Sequence, residues 1–205
     1  QHGGHWIGAS DWPPGNATPL LLYPSPDMTL STTKPREGAL SYDYDPRNPV
    51  PTIGGALTSG EPIFTGGGFD QVEAEGFFGC TSAGMPLSAR RDVLTFETAP
   101  LEEDMTIIGP VTVRLRVSTD APDTDFTAKL IDVYPPSADY PRGYALNLSD
   151  GIFRVRYRDG WEKPRLVEAC EGPFEITIQP FATANLFKRG HRIRLDISSS
   201  NFPKF

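Results

Sequence analysis

The chain has 205 residues, of which 38% are hydrophobic and 11% aromatic, and its net charge is -7. This length supports one sizeable core or two small ones, and the acidic balance argues against nucleic acid, because phosphate binding needs a basic surface. No apolar run approaches the roughly 18 residues of a membrane span, and 20 glycines and 21 prolines interrupt the chain too often for long helices.

The chain shows no signal-peptide pattern and only two cysteines. Without a charged segment followed by an apolar one, we expect a cytoplasmic protein, with secretion as the alternative. Cys80 and Cys170 lie far apart and form neither a zinc motif nor a redox motif. We therefore expect two reduced or buried thiols, and a single disulfide would be the alternative in a secreted protein.

The N-terminal part is rich in loops. Residues 1–26, with tryptophans and prolines, form an extended arm, and short strands are predicted at residues 20–23, 28–30 and 40–44. Pro46, Pro49 and Pro51 each remove a backbone donor, so the segment at residues 44–55 is extended but cannot be a central strand. Residues 56–84 read as a long loop insertion with glycines and phenylalanines.

Beyond residue 84 the chain alternates between apolar and polar residues with a period of two, which predicts β-strands. The predicted strands are residues 92–96, 111–118, 126–133, 145–148, 153–158, 174–179 and 192–197. Turns are expected at residues 120–123 and at Asp150-Gly151. In the last strand, Arg192, Arg194 and Asp196 are expected to face water. Many short alternating strands with turns between them are typical of an antiparallel sandwich, so the fold class is all-β.

Residues for nucleophilic catalysis lack their supporting patterns. An α/β-hydrolase elbow needs Gly-x-Ser-x-Gly between a strand and a helix, and the surroundings of Ser10, Ser59 and Ser82 do not match it. His2 and His5 flank two glycines without acidic or thiol company, which is poor for a metal site. His191 lies at a turn before a strand, where we expect a hydrogen-bonded structural histidine and not a catalytic base.

Two charged groups have both a functional and a structural interpretation. Asp120, Asp123 and Asp125 lie on one turn, where we expect capping of backbone amides, and a Ca²⁺ site is the alternative. A basic row occupies one strand face: Arg154, Arg156 and Arg158. We expect this row to be solvated and paired with acidic residues, with an anion or docking site as the alternative.

Three blocks occur in order along the chain: residues 119–133, with Thr-Asp-Ala-Pro-Asp-Thr-Asp-Phe; residues 148–158; and residues 187–203, which end in Ser-Ser-Ser-Asn-Phe-Pro. Together they resemble the C-terminal domain of the X-prolyl dipeptidyl-peptidase and cocaine-esterase hydrolases, the CocE/NonD group. The resemblance implies a jelly-roll sandwich of galactose-binding-domain-like type over residues 27–205. It makes residues 1–26 the link to a catalytic domain. Related domains run on to one more strand, so we expect this sandwich to lack its last strand.

The resemblance also implies a non-catalytic role. In the related serine esterases and peptidases a serine attacks an ester or amide carbonyl, and the triad lies in the catalytic domain. We therefore expect no catalytic residue, no cofactor and no activity of this chain alone. The family loop that follows Gly54-Gly55 reaches over the active site. This places four residues at the edge of the substrate pocket: Ala56, Leu57, Thr58 and Phe64.

The partners implied by the resemblance are an α/β-hydrolase catalytic domain of the same enzyme and a small ester, amide or X-Pro peptide substrate. A homo-oligomer is also expected. The alternative from another class is a free-standing module that binds carbohydrate or protein, which exposed aromatics on a concave sheet face would favour. A large apolar face with Leu57 at its edge would favour the hydrolase domain. A complete enzyme is the third and least favoured interpretation.

Overall fold

The structure is a computed structural model, and it describes residues 4, 6–59, 63–169 and 171–205. These residues form ten β-strands: β1 (Tyr23–Pro24), β2 (Leu30–Ser31), β3 (Leu94–Glu97), β4 (Met105–Gly109), β5 (Val113–Val117), β6 (Asp125–Tyr134), β7 (Tyr144–Arg154), β8 (Phe174–Ile178), β9 (Thr183–Phe187) and β10 (Arg192–Ser198). Two short 3-10 turns occur at Leu87–Ala89 and Val155–Tyr157. Within the described ranges, no helix is long and apolar enough to cross a membrane.

The strands pair in an antiparallel fashion. The largest sheet has the order β3-β10-β6-β7, and two ribbons, β4-β9 and β5-β8, accompany it, with β1-β2 as a small separate pair. The predicted all-β class is therefore confirmed, and the arrangement is consistent with a sandwich. The jelly-roll and galactose-binding type of the fold remain predictions.

The main apolar core is built from both the large sheet and the ribbons. The sheet supplies Phe126 and Ile193, and the ribbons supply Ile176, Ile178 and Phe187, all of them buried in one cluster. Alternate residues of each strand point to one face, so the period-two pattern delivers this apolar layer directly. Burial of such side chains stabilises the fold by about 1.5–3 kcal/mol for each large residue.

The predicted turn at Asp150-Gly151 is wrong, because β7 runs through both residues. Gly151 lies within the strand, where an added Cβ would come within 2.9 Å of the backbone of Pro180. A glycine inside a strand often marks a close approach of another backbone, and this one does so. The pairing of β7 with β6 is irregular close to Gly151, because the register shifts between Leu130 and Ile131 of β6.

Other predicted boundaries also need correction. The strand predicted at residues 153–158 ends at Arg154 and continues as a 3-10 turn. Residues 40–44 form no strand. Two strands that the sequence analysis does not predict, β4 and β9, pair with each other. The residues that pair between β4 and β9 are about 80 positions apart in the chain. Because this pairing is long-range, each strand by itself has only a weak sequence pattern.

The expectation that the polar residues of β10 face water is wrong for two of the three. Arg194 and Asp196 are each 4% exposed, whereas Arg192 is partly exposed. The polar face of the large sheet is covered by the described residues of 46–93, which we call the covering segment. The exposed arginines of β5, Arg114 and Arg116, show the ordinary pattern, with one face solvated.

Candidate functional site

Backbone and side-chain hydrogen bonds attach the covering segment to the large sheet and to the residues that follow β10. The Val50 amide donates to Ser200 Oγ at 2.9 Å, and Thr52 Oγ1 donates to the Asn201 carbonyl at 2.7 Å. Further along, the Gln71 amide donates to the Ala145 carbonyl at 3.1 Å. The covering segment is therefore fixed at two places that are distant in sequence, beside the residues that follow β10 and beside β7. The polar face of the sheet lies between these two places.

A small apolar cluster makes the segment a packed layer and not a loose loop. Val50, Ile53, Leu87 and Val93 are buried together. The carboxylate of Glu73, which is 2% exposed, accepts hydrogen bonds from the amides of residues 81 and 82 at 2.8 and 2.9 Å. Anchoring of this kind satisfies backbone donors inside a long segment without regular structure.

Beneath the segment lies a row of charged residues. Asp196 in β10 and Asp150 in β7 are the direct cross-strand neighbours of Lys129 in β6. All three are less than 5% exposed. Arg194 binds Asp196 through two bonds of 2.8 Å, and Lys204 forms an ion pair with Asp150. The opposite charges are thus placed side by side, as buried ionised groups require.

Lys129 differs from the other charged residues of this row in its hydrogen bonding. Its Nζ has no hydrogen-bond partner among the described residues. Burial lowers the pKa of the Lys129 ammonium to about 8, and the nearby carboxylates of Asp150 and Asp196 oppose that shift. At neutral pH the side chain is therefore still mostly charged. Lys129 belongs to the first of the three blocks that resemble the family, residues 119–133, and no role was predicted for it from the sequence.

The predicted pocket-edge residues follow a buried glycine turn of the covering segment. Gly54 and Gly55 have φ values of +62° and +104°, which favour glycine. Gly55 and Gly67 then exchange backbone hydrogen bonds of 2.9 and 2.8 Å, which close a narrow hairpin. An added Cβ on Gly55 would lie 3.2 Å from Asp150 Oδ2, so the turn sits directly on the buried charges.

The four predicted residues lie in the stretch between Gly55 and Gly67. Ala56, Leu57 and Thr58 are exposed, with Leu57 at 47%, and Phe64 is partly exposed. The Phe64 carbonyl accepts a hydrogen bond of 3.2 Å from the amide of Ser59. Residues 60–62, between the two arms of the hairpin, lie outside the described residues. No contact of these side chains with a substrate is tested, so their role stays a prediction.

Leu57 is one of several large apolar side chains that the covering segment and its surroundings expose. We call this set the apolar patch, and its members are 37–52% exposed: Leu57, Ile63, Phe69, Phe78, Met85 and Phe202. The Phe69 ring lies beside Gly54 and Gly67 at the base of the hairpin and packs edge-on against Phe77 at 5.1 Å. Phe78 and Phe202 stack at 5.7 Å. Several large apolar side chains exposed on one segment and its surroundings are typical of a surface that another surface covers.

His191 has the structural role expected of it. Its Nδ1 lies 2.8 Å from Asp132 Oδ1, and the ring packs on Tyr134 at 4.2 Å. Asn185 donates to the other oxygen of Asp132 at 3.0 Å. Burial raises the pKa of the Asp132 carboxyl, and these two hydrogen bonds oppose the shift. The histidines at positions 2 and 5 lie outside the described residues.

The basic row and the acidic turn bind each other. Each arginine has its own acidic partner at 2.6–2.8 Å: Arg154 with Asp125, Arg156 with Asp123, and Arg158 with Glu171. Asp123 also accepts a hydrogen bond from the backbone amide of Arg156 at 3.0 Å, which is the anchoring role expected for the turn. In the part of the chain that the structure describes, no cluster of three or more metal-ligating side chains occurs.

The cysteines are only partly described. Cys80 is half-buried beside the small apolar cluster of the covering segment, and burial raises the pKa of its thiol. Cys170 lies outside the described residues, so the pairing of the two cysteines stays untested.

Comparison with known proteins places this arrangement in a family. The whole chain, residues 1–205, matches the family described as the X-Pro dipeptidyl-peptidase C-terminal non-catalytic domain. The cocaine esterase of Rhodococcus sp. (strain MB1 Bresler) is 40% identical over 210 residues, which cover 98% of this chain and 33% of the esterase. The chain therefore spans about a third of the length of that relative.

Solved structures agree with the sequence match. An aminopeptidase from a marine sediment archaeon, Thaumarchaeota archaeon, superposes with a TM-score of 0.74 and 30% identity, over 97% of this chain and 32% of the aminopeptidase. An α-amino acid ester hydrolase superposes with a TM-score of 0.70 and 31% identity, over 89% of this chain and 29% of that hydrolase. The chain belongs to the family of C-terminal, non-catalytic domains of the X-Pro dipeptidyl-peptidase and CocE/NonD hydrolases.

Proposed function

We propose that this domain roofs the active site of an α/β-hydrolase serine esterase or peptidase and helps to select its substrate. The observation that supports this most directly is the exposure of Leu57 and of the other large apolar side chains of the apolar patch. Soluble proteins rarely expose so many large apolar side chains together unless another surface covers them. The catalytic domain of the same enzyme is the partner that we assign to this patch.

The hairpin after Gly54-Gly55 supplies the contact with substrate in this proposal. Its base is fixed by the hydrogen bonds between Gly55 and Gly67 and by the bond from Gln71 Nε2 to the carbonyl of Ile53, just before the glycines. A rigid base lets exposed residues such as Leu57 present apolar surface in a defined position. The names of the relatives, an esterase, an aminopeptidase and an amino acid ester hydrolase, point to ester or amide substrates.

Chemistry in such an enzyme depends on a serine supplied by the catalytic domain. The serine attacks the carbonyl carbon, the bond to the alcohol or amine breaks as this group leaves, and water then hydrolyses the acyl-enzyme to the carboxylic acid and the free serine. The contribution of this chain is to orient the acyl or leaving group and to exclude water. Contacts of this type act through substrate binding and positioning.

The test is a chimera in which this chain replaces the corresponding third of the Rhodococcus cocaine esterase. We expect the chimera to hydrolyse chromogenic esters and the isolated chain to show neither turnover nor labelling by a fluorophosphonate. Leu57→Ala should lower kcat/KM for a bulky acyl ester roughly tenfold more than for an acetyl ester, since contacts of one or two methylenes are worth about 1–3 kcal/mol.

The matched control is Leu166→Ala, because Leu166 is also exposed, at 54%, and lies outside the apolar patch. It should leave both esters unaffected. Equal effects of the two variants, or no effect of Leu57→Ala, would contradict the proposed role of the hairpin. A labelled serine in the isolated chain would contradict the non-catalytic assignment itself.

A further inference from the structure

The polar face under the covering segment contains buried groups whose hydrogen-bonding needs match one another. Five side-chain atoms there lack a partner among the described residues: Lys129 Nζ, Gln71 Oε1, Asn147 Oδ1, Asn201 Oδ1 and Thr95 Oγ1. The first four belong to residues that are at most 5% exposed, and Thr95, the cross-strand neighbour of Asp196, is partly exposed. A lysine ammonium has three N–H donors and no acceptor, and an amide oxygen only accepts. Buried groups of this kind are costly when they remain unpaired.

Three of these residues gather around one carboxylate. Asn147 Nδ2 and Asn201 Nδ2 each donate to Asp150 Oδ2 at 3.3 Å, so both amide oxygens are turned away from that carboxylate. Lys129 is the direct cross-strand neighbour of Asp150. Side chains in such a pair have their Cβ atoms about 4.5–5.5 Å apart. The unpartnered donor and the two unpartnered oxygens therefore lie on the same small part of the sheet face.

We infer that an internal water-binding site lies here, in which water accepts a hydrogen bond from Lys129 Nζ and donates to the amide oxygens of Asn147 and Asn201. Buried waters typically make about three hydrogen bonds to polar groups that would otherwise remain unsatisfied. This set offers one donor group and two acceptors. A single water molecule matches it, because its oxygen accepts from the ammonium and its two O–H groups donate to the two amide oxygens.

The surrounding charges favour water over an ion. Asp150 and Asp196 flank Lys129 on both sides and would repel an anion. A cation would meet the ammonium groups of Lys129 and of Lys204, which pairs with Asp150. A neutral molecule that both donates and accepts suits the site, and the nearly complete burial leaves it little contact with solvent.

The location gives this water a structural role in the covering segment. Gly55, which begins the surface hairpin, lies against the same two residues, because an added Cβ would be 3.2 Å from Asp150 Oδ2 and 3.3 Å from Asn147 Nδ2. Gln71 is bound to the same turn, since its Nε2 donates to the Ile53 carbonyl at 2.8 Å. The water would thus hydrate the junction between the sheet and the base of the hairpin.

The test is a crystal structure of the chain at about 1.5 Å resolution, where ordered water is visible. We expect a well-ordered water within hydrogen-bond distance of Lys129 Nζ and of at least one of the two asparagine oxygens. Direct bonding of Nζ to a protein oxygen with no water beside it would overturn the inference, and so would density for an ion at the site.

Lys129→Met provides a second readout, because methionine keeps much of the side-chain length and removes the donor. We expect the water to be lost or its occupancy to fall strongly in this variant, with no change in Lys163→Met, whose lysine is exposed. An unchanged water in Lys129→Met would show that Lys129 does not bind it. Magnetic relaxation dispersion on the wild-type chain counts long-lived waters without any substitution, and a count of zero would also overturn the inference.

Discussion

Lys129→Met is the substitution with the clearest expected effect on stability. The Lys129 ammonium is 3% exposed, and burial lowers its pKa from 10.5 to about 8. The carboxylates beside it retain other cations after the change, since Lys204 pairs with Asp150 and Arg194 pairs with Asp196. Replacement of buried charged groups by apolar side chains of similar size is often neutral or stabilising, provided that no charge is left without a partner, and here both carboxylates keep one.

The size and sign of the effect follow from the pKa. Because the folded pKa is depressed, the unfolded chain binds more protons than the folded chain between about pH 8 and the unfolded pKa of 10.5, so the free energy of unfolding rises with pH there. A shift of this size corresponds to an upper limit of about 3 kcal/mol at pH 7. Between pH 7 and pH 9 the same linkage predicts a gain of about 1 kcal/mol in the wild-type chain.

Urea unfolding of the wild-type chain and of Lys129→Met at pH 7, 8 and 9 measures this directly. We expect Lys129→Met to be more stable at pH 7, by at most about 3 kcal/mol, with a difference that shrinks as pH rises. Lys163→Met, on the surface, should follow the wild-type curve. An internal water at Lys129 would reduce the effect without changing its sign. A variant that is less stable than wild type at pH 7, or a difference that does not shrink, would refute the reasoning.

Two glycine substitutions test the close contacts of the backbone. Gly54→Ala should destabilise the chain by more than about 2 kcal/mol in urea unfolding, because φ is +62° and the new Cβ would lie 2.4 Å from the carbonyl oxygen of Gly67. Gly151→Ala should lower stability by about 1–3 kcal/mol, since its Cβ would meet the Pro180 backbone at 2.9 Å. Gly15→Ala is the control for both, because nothing lies within 4 Å of its Cβ, and an equal loss there would contradict the steric argument.

Only part of the candidate site could be predicted from the sequence. The assignment of Ala56 and Leu57 to the pocket edge comes from the family resemblance and stays a prediction, whereas the positive φ of Gly54 and Gly55 is seen only in the structure. The paired charges of the arginine row could be anticipated from the acidic residues nearby. The buried charge row could not, because Lys129 and Asp196 read as the solvated half of an alternating strand.

The sequence by itself determined the all-β class, the apolar layer of the core and the family. Period-two alternation indicates which residues share a face of a strand. The three motif blocks indicate the family. Only the tertiary structure decided what covers each face. The covering segment contacts β7 and the residues that follow β10 from more than 70 positions away, through contacts such as Thr52 with Asn201 and Gln71 with Ala145. Alternation in a single strand carries no information about such distant contacts, so a face that looked solvated is in fact buried.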